Sequence, residues 1–248
     1  GRAGGRLWLQ TVGFIVEQGF PVAVLEQVPG ILDVDGGGHL FEAIRRLREG
    51  GYDVAWRIVR CNRHGDATSR RRVFVVAAKP NVLREGGSVH DMLPEDPGLT
   101  KARVGDVVED EPEGHLYYDG PVDWDLPRPD EEEYDGPILM GTVLGGGIGK
   151  HVYSAEGPAI TQKTWGEGPG ESTGLYYFPE SGRVRKLSAR ESMRVQSFPS
   201  HMIERALSSY SEEECYRLAG NSIPVNTMRE ILKGILSGVD PKQVPEVS

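Results

Sequence analysis

The chain has 248 residues, of which 38% are hydrophobic and 26% charged, and its formal net charge at pH 7 is -9. This length is sufficient for one large domain or for a medium domain with a small one. No apolar stretch approaches the roughly 18 residues of a membrane-spanning helix and no segment resembles a signal peptide, so we expect an intracellular protein. Cys61 and Cys215 stand far apart, and neither lies in a set of Cys and His residues large enough for a metal site, so the sequence indicates neither a disulfide framework nor a metal site.

Helix-like and strand-like apolar patterns alternate over the first 80 residues. Two segments carry apolar residues at helical spacing, and short apolar runs with the length of buried strands follow them. This alternation indicates an α/β sheet. The predicted elements are helices at 7–16 and around Leu40, Ile44 and Leu47, and strands at 21–25, 54–59 and 73–78.

From Pro80 onward, short apolar pieces are broken by Gly, Pro and acidic residues. Between Asp106 and Asp135 the only Lys or Arg is Arg128, and we interpret this acidic run as a solvated loop region. A glycine-rich stretch at 145–150 follows, and then a predicted strand pair around Tyr153 and Ile160. A second glycine-rich turn lies at 166–170.

Helical patterns return in the last part of the chain. Ser188 and Glu191 have the spacing of a capping box, in which each side chain satisfies a free backbone N–H at the start of a helix. Pro224 is predicted to open a final amphipathic helix that ends near Gly238. The closing residues are predicted to form a loose tail.

Two blocks in the first 80 residues resemble motifs of the DNA cytosine-5 methyltransferases. The block from Val24 to Gly30 resembles the Glu-Asn-Val segment of the family, with Gln27 in place of the usual asparagine. The block from Thr68 to Phe74 resembles the Gln-x-Arg-x-Arg motif. It has Thr68 where glutamine is usual, and both arginines of the motif are present as Arg70 and Arg72.

Two further blocks follow in the order expected for the same family. The block from Arg185 to Pro199 is similar to the Arg-x-Leu-Thr-x-Arg-Glu helix, in which we expect Arg190 and Glu191 to be structural ties. The block from Tyr216 to Val225 resembles the closing Gly-Asn-Ser/Ala-Val segment. Each block alone has a plainer interpretation, such as a solvated arginine face or a Gly-Asn-Ser turn. Four blocks in order extend the resemblance over nearly the whole chain.

The resemblance implies an α/β fold, namely the C-terminal part of a Rossmann-like methyltransferase sheet with an inserted small, β-rich target-recognition domain. Residues 1–80 would form the second half of the catalytic domain, 81–182 the target-recognition region, and 183–248 a return to the catalytic domain. It further implies methyl transfer from S-adenosylmethionine to carbon 5 of a flipped cytosine in duplex DNA. Such a protein would be cytoplasmic or located with cellular DNA.

The resemblance also assigns roles to individual residues. A thiolate attacks ring carbon 6 of the cytosine in this family, and Glu26 would supply a proton at the ring nitrogen, a task that suits a carboxyl group withdrawn from water. Arg72, and behind it Arg70, would hold the base carbonyl oxygen and lock Glu26, because a planar guanidinium holds fixed acceptors. Asn221 and Ser222 resemble positions that approach the methyl donor. The alternatives are an ordinary strand-end carboxylate and a surface salt-bridge cluster.

The glycine-rich stretch at 145–150 resembles a recognition loop, in which glycines let the backbone approach base edges. The alternative is a flexible loop without a binding role. DNA-contacting residues are predicted to be Gly147, Ile148, Lys150 and His151 and, on a second strand, Thr161, Lys163 and Trp165. Additional phosphate contacts are predicted for Arg57, Arg60, Arg63, His64 and Arg71.

Two motifs of the family do not occur in this sequence, the Phe-x-Gly-x-Gly turn of the donor site and the Pro-Cys loop of the nucleophile. Neither cysteine follows a proline, so we assign neither as the nucleophile. The helix from Leu7 resembles the one that follows the catalytic loop, which favours one subunit of a split enzyme or a fragment of a longer chain. We therefore expect a second polypeptide, or a missing segment, that carries both motifs. The third alternative is an inactive DNA-binding or regulatory homologue.

Overall fold

The computed structural model describes residues 2–98, 102–110, 112–125, 136–147, 149–164 and 168–244, with side chains from residue 7 onward. No helix in these ranges is long and apolar enough to cross a membrane. The chain divides into two compact units, which we call the first unit (1–59, 71–96 and 229–248) and the second unit (60–70 and 97–228). The division into three regions at residues 80 and 182 remains a prediction.

The helices and strands within these ranges are, in chain order, α1 (Arg2–Gln18), β1 (Val22–Gln27), α2 (Gly38–Glu49), β2 (Asp53–Arg60), β3 (Arg71–Ala78), β4 (Tyr117–Tyr118), β5 (Val122–Trp124), β6 (Leu139–Val143), β7 (His151–Ser154), β8 (Leu175–Phe178), β9 (Arg183–Lys186), α3 (Ala189–Val195), α4 (Ser200–Ser209), α5 (Glu212–Asn221) and α6 (Val225–Gly238). The two helices and three strands predicted in the first 80 residues are confirmed, as is the final helix.

The first unit contains a three-stranded sheet in the order β1-β3-β2. Strand β1 runs antiparallel to β3, with Glu26 opposite Phe74 and Gln27 opposite Val73. Helices α1 and α2 cover one face of the sheet, because their apolar stripes meet the side chains that point to that face. This core consists of Trp8, Val12, Ile15, Leu25, Leu40, Ala43, Ile44, Leu47, Tyr52, Val54, Val73, Val75 and Ala77.

The C-terminal part of α6 packs closely against a short helical turn at Val89–Met92 in the first unit. A Cβ atom added at Gly234 would lie 2.8 Å from the carbonyl carbon of Met92, and one added at Gly238 would lie 2.8 Å from the methyl group of the same methionine. Glycine is required at both positions because only a hydrogen atom fits against the neighbouring atoms. The two glycines therefore determine how closely the helix approaches.

The second unit contains a six-stranded sheet in the order β4-β9-β8-β7-β6-β5. Neighbouring strands are antiparallel except β7 and β8, which are parallel with Val152 opposite Leu175. Parallel neighbours cannot be joined by a hairpin. Residues 155–174, which we call the crossover, therefore connect the two strands.

The predicted strand pair around Tyr153 and Ile160 is wrong. Tyr153 lies on β7, whose neighbours are β6 and β8, whereas Ile160 lies in the crossover and belongs to no named strand. The residue before it, Ala159, instead forms an isolated parallel bridge with Thr68. An apolar run alone does not identify its partner, and here the partner is about ninety positions earlier in the chain.

Two capping boxes start helices of the second unit. The one at Ser188 and Glu191 begins α3 and confirms the prediction from sequence. The other, at Ser211 and Glu214, begins α5. Helix α5 continues through Gly220 to Asn221, so the interpretation of Gly-Asn-Ser as a simple turn is wrong.

Candidate functional site

Glu26 and Arg72 lie on the same face of the three-stranded sheet. Glu26 is opposite Phe74, so Arg72 is its diagonal neighbour, within reach of a long side chain. Arg72 Nε lies 2.5 Å from Glu26 Oε1, and the two side chains are 9% and 26% exposed, respectively. Arg72 Nε makes no hydrogen bond of normal geometry, so the contact is a close ion pair without good alignment. The carboxylate is thus held by the arginine and still partly accessible.

The guanidinium of Arg72 is fixed by a second contact. Its Nη1 donates a hydrogen bond of 2.8 Å to the carbonyl oxygen of Arg71. A guanidinium bound at two nitrogens has little rotational freedom, which is the property expected of a group that holds fixed acceptors. Among the residues predicted from the sequence, Glu26 and Arg72 are brought together directly.

Arg70 belongs to the second unit and is buried. Its Nη1 donates a hydrogen bond of 2.9 Å to the carbonyl oxygen of Gly220. Gly220 directly precedes Asn221 and Ser222, the residues predicted to approach a methyl donor. The structure therefore ties Arg70 to the Gly-Asn-Ser segment, while its predicted position behind Arg72 remains a prediction.

Gly220 is also the point at which the crossover packs against α5. A Cβ atom added at Gly220 would lie 2.5 Å from the carbonyl oxygen of Lys163 and 2.6 Å from its carbonyl carbon. Next to this contact Asn221 is exposed, and the Ser222 hydroxyl donates to the carbonyl oxygen of Ala219 at 2.8 Å. Gly220 therefore brings Arg70, Lys163 and the Gly-Asn-Ser segment to one place.

Residues 60–70, which we call the arginine loop, are bound to the crossover by backbone hydrogen bonds. Ser69 N donates to Ala159 O and Ala159 N donates to Ala67 O, each at 2.8 Å. The side chain of Thr68, which stands where the family has glutamine, is fully buried between these two contacts. The predicted motif is thus held in place by its backbone.

Asp66 is a buried residue of the arginine loop that the sequence reasoning did not single out. Its carboxylate accepts hydrogen bonds from Asn226 N at 3.2 Å, Thr227 N at 3.0 Å and Thr227 Oγ1 at 2.7 Å. Burial raises the pKa of this carboxyl group, and the hydrogen bonds from Thr227 and Ser197 oppose the rise. The sequence feature that could have pointed to such a residue is Pro224 at the start of α6. Because proline has no side chain that can cap a helix, the first turn of α6 needs hydrogen-bond acceptors from elsewhere in the chain.

A glycine-rich hairpin joins β6 to β7, in the region predicted to be a recognition loop. Gly145, Gly146, Gly147 and Gly149 all have positive φ, which side chains rarely permit. Gly147 is exposed, and a Cβ atom there would meet nothing within 4 Å. Lys150 N donates to Gly147 O at 3.1 Å, and His151 is the first residue of β7. Ile148 and Trp165 lie outside the described residues.

The prediction that Thr161 and Lys163 lie on a strand is wrong, because both lie in the irregular crossover. Lys163 N donates to Ser172 O at 3.1 Å, and the Lys163 side chain is exposed. Gly170 N donates to Gly149 O at 3.0 Å, so the crossover also contacts the glycine-rich hairpin. This hydrogen bond connects the described parts of the hairpin and the crossover.

Arg57 and Arg71, both predicted to contact phosphates, lie in different environments. Arg57 Nη1 donates to Leu93 O at 3.1 Å and to Pro94 O at 2.7 Å, so this side chain serves the fold of the first unit. Arg71 is exposed. Its guanidinium is therefore better placed for an external phosphate than that of Arg57.

Arg190 and Glu191 are structural ties, as predicted. Glu191 is fully buried and pairs with Arg185, a residue that the sequence reasoning left without a role. Arg190 pairs with Glu109 at 3.1 Å and with Glu204. The long Arg-x-Leu-Ser-x-Arg-Glu block therefore stabilises the fold of the second unit through its ion pairs.

Known DNA methylases resemble this chain in sequence. The model of the C-5 cytosine-specific DNA methylase family matches residues 1–237. The type II methyltransferase M.HhaI of Haemophilus parahaemolyticus is 26% identical over 243 residues, which cover 96% of this chain and 70% of that protein. M.SsoII of Shigella sonnei is 25% identical over 240 residues, which cover 95% of this chain and 58% of that protein.

Comparison with solved structures supports the same fold. A mutant of Spodoptera frugiperda DNMT2 superposes with a TM-score of 0.63 at 15% identity, covering 92% of this chain and 71% of that one. The α/β fold predicted from the sequence is therefore confirmed. Because the family model extends over nearly all of the sequence, this chain belongs to the C-5 cytosine-specific DNA methylase family.

Proposed function

We propose that this chain holds the target cytosine and reads duplex DNA for a cytosine-5 methyltransferase that uses S-adenosylmethionine. The nucleophilic cysteine and most of the donor site would come from a preceding segment or a partner chain with the Pro-Cys and Phe-x-Gly-x-Gly motifs. The observation that carries this proposal is the ion pair between Glu26 and Arg72 at the ends of two adjacent strands.

The ion pair suits the handling of a cytosine ring. When a thiolate bonds to ring carbon 6, electron density moves toward the ring nitrogen, and a carboxyl group there can supply a proton. Glu26 retains enough exposure to reach a ligand, while the ion pair with Arg72 keeps the carboxylate beside the guanidinium. A planar guanidinium beside it can also donate to the carbonyl oxygen of the base. S-adenosylmethionine, when bound, supplies an electrophilic methyl group for carbon 5.

The residues present fit one part of a donor site. Asn221 has an exposed amide, which can both donate and accept, and Ser222 has a hydroxyl oxygen beside it. These groups would bind polar atoms of the donor. Since they offer only two side chains, we expect the chain alone to bind S-adenosylmethionine weakly.

The DNA-reading role rests on the glycine-rich hairpin and the crossover. Backbone with left-handed glycines can approach base edges closely, and Lys150, His151 and Lys163 lie in or beside these segments. With a net charge of -9, the chain must contact phosphates through such local cations rather than through its overall charge. Arg71 would add a further contact.

The direct experiment is a methyl-transfer assay after reconstitution. Mass spectrometry of proteins that co-purify with the chain would identify a polypeptide with the two motifs, and transfer of labelled methyl groups to duplex DNA would then be measured. We expect Glu26→Gln to lower kcat by about 10²- to 10⁴-fold, the usual contribution of a positioned acid. The matched control is Glu42→Gln, which removes an arginine-paired carboxylate on α2 and should leave kcat unchanged. Equal rates for the two variants would remove Glu26 from the mechanism.

A second candidate function is DNA binding or regulation without catalysis. Gln27 and Thr68 favour this candidate, because both replace residues that are usual in the family motifs. It predicts that the chain binds duplex DNA and supports no methyl transfer with any partner. Transfer by the reconstituted pair would exclude this candidate.

A further inference from the structure

We propose that Asp66 is a positioning residue that fastens the arginine loop to the first turn of α6 and thereby holds Arg70 against Gly220. Asp66 touches no reacting group in this proposal and acts through the arrangement of others. Asp66 can have this role because it supplies acceptors to the first turn of α6 and lies only four positions before Arg70.

The first turn of an α-helix has four backbone N–H groups without partners inside the helix. In α6, Val225 N donates to Gln196 O at 2.9 Å and Met228 N donates to Pro224 O at 3.1 Å. The two groups between them, Asn226 N and Thr227 N, both donate to the Asp66 carboxylate. A residue 161 positions from Thr227 therefore does the work of an N-cap, because Pro224 cannot.

The same turn binds the arginine loop at a second point. Asn226 Nδ2 donates to Gly65 O at 3.1 Å and to Ser197 Oγ at 3.0 Å. Thus both the side chain of Asp66 and the backbone before it contact the helix. Two adjacent contacts prevent the loop from pivoting about either one.

Only three residues separate Asp66 from Arg70, and their backbone is bound to Ala159 on the crossover. These contacts hold the backbone directly before Arg70 in place. From this position the Arg70 guanidinium donates to Gly220 O at 2.9 Å. Gly220 is the residue before Asn221 and Ser222. Asp66 therefore sets the position of Arg70 relative to the candidate donor-binding residues, and the consequence for methyl transfer rests on the function proposed above.

A carboxylate suits this task better than an amide of the same shape. Its two oxygens accept hydrogen bonds from the backbone N–H groups of Asn226 and Thr227 and from the Thr227 hydroxyl. The amide of asparagine would present one oxygen and one NH₂ group, and the NH₂ group would face a backbone N–H. Asp66→Asn therefore loses at least one hydrogen bond while preserving the size of the side chain.

Hydrogen–deuterium exchange on the 248-residue chain tests the proposal without any assay of catalysis. We expect Asp66→Asn to accelerate exchange by about 10-fold or more at 219–222 and 67–72, since loss of a charge-assisted hydrogen bond shifts local opening by about that factor. Helix α3 and strands β6 to β8 should keep their rates. Uniform acceleration throughout the second unit, or acceleration confined to 225–228, would show that Asp66 contributes to stability alone.

Three further variants sharpen the result. Thr227→Val removes the hydroxyl that binds Asp66 and should reproduce part of the effect, whereas Thr227→Ser keeps the hydroxyl and should restore the wild-type rates. These variants preserve Asp66 and keep the test available if Asp66→Asn folds poorly. Asp240→Asn is the matched control, because Asp240 also accepts from a backbone N–H, that of Lys242, in an exposed turn. It should change exchange at 241–244 only.

Methyl transfer by the reconstituted enzyme provides the second readout. We expect Asp66→Asn to lower kcat by about 10-fold and to change KM for DNA by less than about 2-fold, because a displaced Arg70 affects the reacting complex more than DNA capture. If the exchange result appears and wild-type protein transfers no methyl group, the proposed function fails and the positioning role stands. A wild-type kcat in Asp66→Asn would overturn the inference while leaving the proposed function intact.

Discussion

Arg185 and Glu191 form two parallel hydrogen bonds, Nη1 to Oε2 at 2.7 Å and Nη2 to Oε1 at 2.8 Å, and their side chains are 3% and 0% exposed. The carboxylate also accepts from Ser188 N at 2.8 Å and from Glu109 N at 2.7 Å. One buried carboxylate thus binds β9, the start of α3 and the segment at 102–110. All four hydrogen bonds compensate for the loss of hydration.

Breaking this pair from one side should be strongly destabilising. We expect Glu191→Gln to lower the free energy of unfolding by about 3–5 kcal/mol, because it leaves the buried Arg185 charge without its negatively charged partner. Urea denaturation would measure the change. The control is Asp119→Asn, which breaks the exposed pair with Arg183 and should cost less than about 1 kcal/mol. A double replacement, Arg185→Met with Glu191→Leu, should cost less than Glu191→Gln alone, and a larger cost would contradict this explanation.

A methyl group at Gly220 should separate the crossover from α5. The new carbon would lie 2.5 Å from Lys163 O, and overpacking of this kind costs about 1–3 kcal/mol. We expect Gly220→Ala to lower the thermal midpoint, whereas Gly114→Ala should leave it within about 1 °C, since a Cβ atom at Gly114 meets nothing within 4 Å. Calorimetry of both variants measures the difference. Equal midpoints would mean that the crossover moves aside without cost.

The Glu26–Arg72 pair should require the guanidinium group and not only its positive charge. We expect Arg72→Lys to lower the kcat for methyl transfer by the reconstituted enzyme by about 10²-fold. This loss is comparable to that caused by removal of one preorganised hydrogen-bond donor. Arg45→Lys, at the exposed pair with Glu42, should have no effect on kcat. Full activity in Arg72→Lys would show that charge alone is sufficient.

The buried carboxyl group of Asp66 should make stability depend on pH. Because burial raises its pKa above the ordinary value of 3.8, the folded protein binds this proton more tightly than the unfolded chain does. The resulting stabilisation is fully present below pH 3.8 and is lost as the pH rises through the folded pKa. The unfolding free energy of the wild type minus that of Asp66→Asn should therefore fall over this window. A difference independent of pH would contradict the raised pKa.

Both thiols should react slowly with an aromatic disulfide reagent in the native protein. Cys61 and Cys215 are fully buried, and desolvation together with nearby carboxylates raises the pKa of the Cys215 thiol. We expect labelling at least about 10²-fold slower in buffer than in concentrated urea, because the reagent must await local opening. Rapid labelling of either thiol in buffer would reopen its assignment as a nucleophile.

Local patterns were sufficient for the elements that have an amphipathic repeat or a cap. The apolar spacing from Leu7 to Val16 identified α1, and Ser188 with Glu191 identified the start of α3. In both cases the information lies within one or two turns of helix. The four family-like blocks predicted the α/β fold as a whole, because they occur along the chain in the order expected for the family.

Such local patterns did not predict contacts between segments that are distant in the sequence. The family resemblance predicted that Arg72 would hold Glu26, but nothing in the Arg-x-Arg motif indicated that Arg70 would donate to the carbonyl oxygen of Gly220. Strand β3 begins at Arg71, so Arg72 follows the register of the ladder while Arg70 lies before it. Asp66 was missed for the same reason, since nothing in its own neighbourhood indicates a helix 160 residues later.

The parallel pairing of β7 with β8 also affects where this protein can tolerate changes in chain length. In the part of the crossover that the structure describes, no residue belongs to a named strand, and the contacts of Ala159, Lys163 and Gly170 hold it in place. The register of β7 and β8 is set by the pairing of Val152 with Leu175 and not by the length of the segment that joins them. The crossover can therefore diversify in length during evolution while the six-stranded sheet retains its register.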